Sequence, residues 1–168
     1  MELFLFLGWV LLVRVAELLW SASNERWLKQ QGAVEYGRSH YPFIVALHTA
    51  FLLAIPLEYY SSQQRYPLQW LWLLIFLLLT VLKGLVIATL GRYWNTRIYR
   101  VPGAPAVRRG IYRYVRHPNY IIVVLEFIAI PMVFHLYITA IVFSLLNALM
   151  LWVRIGVEQK VWAAPGTK

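Results

Sequence analysis

RRGIYRYVRHPNY, residues 108–120, runs without a spacer into the apolar series IIVVLEF at 121–127. Its thirteen residues hold four arginines, three tyrosines, a histidine and a proline. Lipid tolerates irregular polar backbone only where it is buried in protein or lines a cavity. A turn of this kind at a membrane mouth is therefore the first place to look for a binding site. Pro118 disfavours the α region for His117, and Asn119 then reads as the N-cap of the helix that follows. The free N–H groups and positive dipole end of such a helix suit a carboxylate or another anionic group.

The rest of the chain agrees that the surroundings are lipid. Of 168 residues, 61% are hydrophobic, 16% aromatic and only 14% charged, outside the range of ordinary soluble domains. Apolar stretches of near-spanning length occur at Leu3–Trp20, Phe43–Tyr60, Leu68–Leu90, Tyr120–Phe134 and Tyr137–Val157. The expected fold is all-α: a polytopic integral membrane protein of about five transmembrane helices, in a single domain over 1–168. The fourth stretch is short, about 22 Å as a helix, so it starts below the headgroups or is extended by the turn before it. Met1-Glu2 lacks the positive start of a signal peptide and the first apolar stretch is too long for one, so that span is expected to stay in the mature protein.

Five alternating spans put Arg26, Lys29, Arg38, Arg92, Arg97, Arg100, Arg108, Arg109, Arg113, Arg116, Lys160 and Lys168 on one face and Arg65 on the other. That asymmetry places the basic loops and the C-terminus in the cytoplasm and the N-terminus outside, in a multi-pass protein of the cell membrane. Topology alone accounts for basic cytoplasmic loops, so the arginines of 108–116 do not by themselves prove a site. The net charge of +9 points to anionic membrane lipid before nucleic acid, for which no module is visible.

Other chemistries drop out. There is no cysteine and no G-x-G-x-x-G, which removes thiolate metal sites, a cysteine nucleophile and a Rossmann cofactor fold. His40, His48 and His135 lack metal-ligand spacing and read as structural, and no metal is expected. The connection 91–110 contains VPGAP at 101–105, which breaks the third helix and folds back as loop.

Charged groups inside the spans carry further signal, because each is costly in lipid unless paired or hydrated. Asn147, Arg154 and Glu158 share a stripe roughly 40° wide on the fifth span. Glu126 follows Asn119 by two helical turns on the fourth, so Asn147 and Glu126 are candidates to line a substrate pocket. Arg14, Glu17, Ser21 and Glu25 continue a polar stripe along the first span. A polar interior open to the cytoplasm explains these placements; i,i+3 and i,i+4 ion pairs for Arg14–Glu17 and Arg154–Glu158 are the alternative.

The run GIYRYVRHPNY at 110–120, followed after a span by RIGVE at 154–158, resembles the isoprenylcysteine carboxyl methyltransferase family of membrane enzymes. The R-H-P-x-Y core and the downstream R-I-x-x-E carry the resemblance, and ERWLKQQGAVEYGRSHYP at 25–42 looks like the smaller bacterial members. The resemblance implies a methyl transfer dependent on S-adenosylmethionine, with an interfacial cofactor-binding loop reached from the cytosol and a lipophilic acceptor taken from the bilayer. It assigns cofactor binding to His117, Pro118 and Tyr120, with Gly110, Tyr112 and Tyr114 leading in, and catalysis to Arg154 and Glu158. Gln159 stands where family members often carry a second glutamate.

Small bacterial members suggest alkylpyrone or alkylresorcinol acceptors, which a polyketide synthase would supply, with a prenylcysteine-type carboxyl next. The competing class is a non-enzymatic scaffold docked on anionic headgroups. The residues suit methyl transfer on chemical grounds as well, since an in-line displacement needs orientation and dryness more than unusual groups. Arg154 can hold a carboxylate or oxyanion, Glu158 can take a proton, and tyrosines can face a sulfonium.

Overall fold

The computed structural model describes residues 1–62 and 66–163; Arg65 and Lys168, which entered the charge asymmetry, lie outside them. Five helices follow in order: α1 (Glu2–Gln30), α2 (Tyr41–Ser61), α3 (Trp70–Leu90), α4 (Pro118–Met132) and α5 (Tyr137–Ala163). They correspond to the five apolar stretches. Four of them, α1, α2, α3 and α5, are long and apolar enough to cross a bilayer, whereas α4 has only 15 residues. At about 22 Å it falls short of a hydrocarbon core of about 30 Å.

The helices alternate in direction. At one end of the bundle Phe6 of α1 packs edge-on against Phe76 of α3 and Phe134, at 5.2 and 5.5 Å between centroids. At the same end the Glu58 carboxylate of α2 accepts the N–H groups of Ile138 and Thr139 at 3.0 and 2.6 Å. Two otherwise orphaned donors at the start of α5 are thereby capped by a neighbouring helix. The opposite end gathers the last turns of α1, α3 and α5, the first turn of α4 and the arginine-rich connections. α4 lies between α3 and α5 and packs along both.

α1 stops in a Schellman turn. The Ala33 N–H reaches the Leu28 carbonyl and the Gly32 N–H that of Lys29, with Gly32 at φ +72, a conformation for which glycine has no Cβ penalty. The chain then forms a feature that the all-α reading did not contain. β1 (Val34–Tyr36) pairs antiparallel with β2 (Ile98–Arg100), Glu35 standing opposite Tyr99. Strands of three residues are too short to leave a period-two signal in sequence.

The polar stripe of α1 holds this ribbon in place instead of facing an open interior. Asn24 Nδ2 donates to the carbonyls of Gly91 and Trp94 at 3.1 and 2.7 Å. Ser21 Oγ accepts the Thr96 N–H at 3.0 Å, and the Tyr99 hydroxyl donates to Glu25 at 2.9 Å. Higher on the same helix, Arg14 pairs with Glu17 at 2.8 Å, as the sequence allowed, and with Glu126 of α4 at 2.7 Å. Lys83 of α3 completes the group, bonded to Glu126 and 3.3 Å from Glu17. Two cations and two carboxylates from three helices thus neutralise one another inside the bundle.

Candidate functional site

The approach to α4 is built residue by residue. Gly110 sits at φ +55, and a Cβ there would lie 3.0 Å from Thr89 Cγ2, so the chain turns tightly against the end of α3. A 3₁₀ turn over Gly110–Arg113 follows. His117 then adopts φ −132, ψ 61 and caps α4, which begins at Pro118. His117 is indeed outside the α region, but Asn119 is not the N-cap. Proline supplies the helical φ and has no N–H to lose, so the helix starts two residues earlier and Asn119 falls inside its first turn. No side chain caps this helix start.

From that turn Tyr120 reaches α5. Arg154 Nε donates to the Tyr120 hydroxyl at 2.9 Å, and the hydroxyl donates to Glu158 Oε2 at 2.6 Å. Arg154 and Glu158 form no direct ion pair among the described residues; the phenol stands between them. The His117 ring stacks on Tyr120, 5.2 Å between centroids and 10° from parallel, with Nδ1 3.8 Å from Glu158 Oε2. Tyr112 faces the same carboxylate: burial and the charge of Glu158 push its phenol up to about 12. The terminal nitrogens of Arg154 make no hydrogen bond among the described residues, so its fork is free to meet an incoming oxygen.

The structure therefore brings together Tyr112, His117, Tyr120, Arg154 and Glu158, with Gly110 and Pro118 shaping the approach. Tyr114 does not join them; it follows the 3₁₀ turn and is 82% exposed. Glu126 stays apart as well, because Arg14 and Lys83 hold its carboxylate. Asn147 is 2% exposed and lies two turns deeper than Arg154 on α5.

Two further residues were not site candidates in the sequence, where His40 read as structural and Arg100 as a loop charge. His40, just ahead of α2, has its imidazole held below its usual value by burial and by the positive charge of Arg154, so it lies within electrostatic reach of that guanidinium. Its ring packs onto Gly37, where φ is +66 and a Cβ would come within 2.1 Å of His40 Cε1. Gly37→Ala is expected to lose about 1–2 kcal/mol from the left-handed backbone alone and to displace His40, read as a lower melting temperature in detergent. The other is Arg100, a buried cation whose Nη1 donates to the Val161 carbonyl and which packs 4.3 Å over Trp162. It pins the last turn of α5, one turn beyond Glu158. In the sequence it counted only as a loop charge, and no local pattern sets it apart.

Four helices long and apolar enough to cross a bilayer, with a tyrosine standing between an arginine and a glutamate at the basic end, define a membrane protein with a polar centre. Residues 72–164 match the Isoprenylcysteine carboxyl methyltransferase (ICMT) family. The chain belongs to that family, whose members are membrane methyltransferases that use S-adenosylmethionine. Among relatives, Uncharacterized protein YpbQ of Bacillus subtilis (strain 168) is 37% identical over 157 residues, 93% of this chain and 94% of that protein. An uncharacterized protein of Haemophilus influenzae is 28% identical over 152 residues, covering 89% and 88% of the two chains. No solved structure matches the chain.

Proposed function

We propose that the protein is an S-adenosylmethionine-dependent O-methyltransferase of the cell membrane, with its site at the cytoplasmic end and its N-terminus outside. Its acceptor is a lipophilic molecule bearing a hydroxyl, enol or carboxyl, with a polyketide lipid such as an alkylpyrone or alkylresorcinol first. The observation that carries this reading is the Tyr120 hydroxyl joining Arg154 to Glu158. It gathers an anion-binding fork, a carboxylate and an aromatic face at one point, in the two motifs that carry the resemblance to the family.

The residues present fit the cofactor. The start of α4, which no side chain caps, offers the Asn119 N–H and a positive dipole end to its carboxylate, the N–H groups of Tyr120 and Ile121 being spent on the His117 carbonyl, and the buried Asn119 Oδ1, without a partner, adds an acceptor for its ammonium group. The stacked His117 and Tyr120 with Tyr112 beside them provide faces for its ring and its cation. When bound, the cofactor supplies an electrophilic methyl group on a sulfonium.

The remaining work belongs to the chain. Arg154 orients the acceptor oxygen with its free terminal nitrogens, and Tyr120 fixes that fork by occupying Nε. Glu158 gives Oε2 to Tyr120 and keeps Oε1 for the proton of a hydroxyl or enol acceptor. A carboxylate acceptor needs no proton removed, and the free Arg154 fork suits one, which supports a prenylcysteine-type carboxyl as the second reading.

The test is direct. Purified protein in nanodiscs is expected to bind S-adenosylhomocysteine in titration calorimetry and to transfer labelled methyl from S-adenosylmethionine to long-chain alkylpyrones. Absence of binding would leave a lipid-docked scaffold as the better description.

A further inference from the structure

Polar groups inside this bundle are almost all satisfied. His48 uses Nδ1 on the Ile44 carbonyl at 2.9 Å, and Thr80 bonds back to the Phe76 carbonyl at 3.0 Å. Glu126 is held by Arg14 and Lys83. Among the described residues, four buried side-chain atoms lack a hydrogen-bond partner: Glu17 Oε1, Asn119 Oδ1, Ser144 Oγ and Asn147 Nδ2. Glu17 Oε1 has the Lys83 ammonium at 3.3 Å, and Asn119 belongs to the mouth already described. Ser144 and Asn147 remain, one turn apart on α5 and deep in the apolar part of the helix.

Unpaired polar groups at that depth are unfavourable, since lipid offers no water to satisfy them. Asn147 is nine-tenths or more buried, at 2% exposure. It lies on the Arg154 stripe, about 10 Å further into the bundle along the axis, and the Arg154 side chain leans back toward it, as helical side chains do. Aromatic rings neighbour this depth: Phe143, just beyond Ser144, meets Phe51 at 5.6 Å, and Phe51 meets Phe127 at 4.4 Å.

We propose that Asn147, helped by Ser144, binds a second oxygen of the acceptor, set deeper in the membrane than the oxygen that is methylated. This rests on the methyltransferase reading and narrows its substrate class. The acceptor carries at least two oxygens spaced along its long axis, the outer one at Arg154 and the inner one a carbonyl or hydroxyl that accepts a hydrogen bond from the Asn147 amide. A lipid with one polar head and an unbroken apolar tail leaves the amide unmet. Rejection of an analogue lacking a group that buried polar side chains were built to bond is usually stronger than rejection by shape alone.

Two probes of equal chain length separate the outcomes: an alkyl 4-hydroxyphenyl ketone, whose ring hydroxyl and chain carbonyl follow one another along the molecule, and a 4-alkylphenol, which has the hydroxyl alone. Their affinities are measured by quenching of tryptophan fluorescence in nanodiscs, for the wild type and for Asn147→Leu, alongside S-adenosylhomocysteine affinity and melting temperature. The wild type is expected to prefer the ketone by about tenfold. Asn147→Leu is expected to erase that preference, to leave cofactor affinity unchanged and to melt at the same or a higher temperature, since it removes a group unsatisfied in the empty fold. Equal wild-type affinities, a preference that survives in Asn147→Leu, or a marked fall in its melting temperature would each overturn the proposal. Failure to bind S-adenosylhomocysteine at all would instead count against the methyltransferase reading.

Discussion

Arg154→Ala and Glu158→Gln are each expected to lower methyl transfer by about 10²-fold or more while S-adenosylhomocysteine still binds within a few-fold of wild type. Arg154 spends only Nε on Tyr120, so its loss removes both the fork that holds the acceptor oxygen and the donor that fixes the phenol. Glu158→Gln keeps the shape and an acceptor for the Tyr120 hydroxyl but removes the proton-accepting charge. On a hydroxyl or enol acceptor this change acts mainly on kcat. On a carboxylate acceptor, which has no proton to lose, it has a much smaller effect. The kcat of Glu158→Gln on the two acceptor types therefore reports whether this carboxylate moves a proton or merely orients its neighbours.

Tyr120→Phe sharpens the reading. It keeps the ring that stacks on His117 and deletes only the hydroxyl between Arg154 and Glu158. Cofactor affinity should change little while turnover falls, because the two α5 side chains are then free to pair directly at i,i+4 and the fork swings away from the acceptor. Equal loss of cofactor affinity and turnover would mean that the hydroxyl serves the cofactor alone. The measurements are initial rates of labelled methyl incorporation and titration calorimetry with S-adenosylhomocysteine.

Much of this centre was legible in the chain because its signals are local. Pro118 excludes His117 from the helical region whatever surrounds it, and the spacing of Arg154 and Glu158 puts them on one face by helical geometry alone. Apolar runs locate the helices for the same reason. What depends on contacts between distant segments was not legible. The sequence shows Tyr120 as an interfacial tyrosine, and only the packing of α4 on α5 turns it into the bridge. The partners of Glu126 lie 112 and 43 residues away, so its place on the Asn119 side of α4 suggested a pocket when its charge was already balanced from α1 and α3. The β1–β2 ribbon escaped notice because three-residue strands have no period of their own, and the polar face of α1 read as the lining of an open interior because nothing local ties Ser21 to Thr96 or Glu25 to Tyr99.

Lys83→Met is expected to destabilise the protein by about 3–5 kcal/mol, the usual consequence of removing one partner from a buried charge group. Lys83 and Glu126 have side chains only 3% exposed, so neither has water to fall back on. Without Lys83, Glu17 and Glu126 share Arg14 alone and one negative charge is left in the interior; Glu126→Met strands a positive charge by the same logic. Removing both is different. Arg14 and Glu17 remain, 2.8 Å apart on one helix and neutral as a pair, and two thioether chains fill the space that the ammonium and carboxylate occupied. The Lys83→Met, Glu126→Met double variant should therefore lie within about 1–2 kcal/mol of wild type, far above the sum of the two single losses, a non-additivity expected of residues in one network. Unfolding of the four proteins in mixed micelles with increasing SDS measures the coupling. If the single effects simply add, the four charges do not act as one neutral unit, and the register of α4 against α1 and α3, with the position of Tyr120 that depends on it, is set by apolar packing instead.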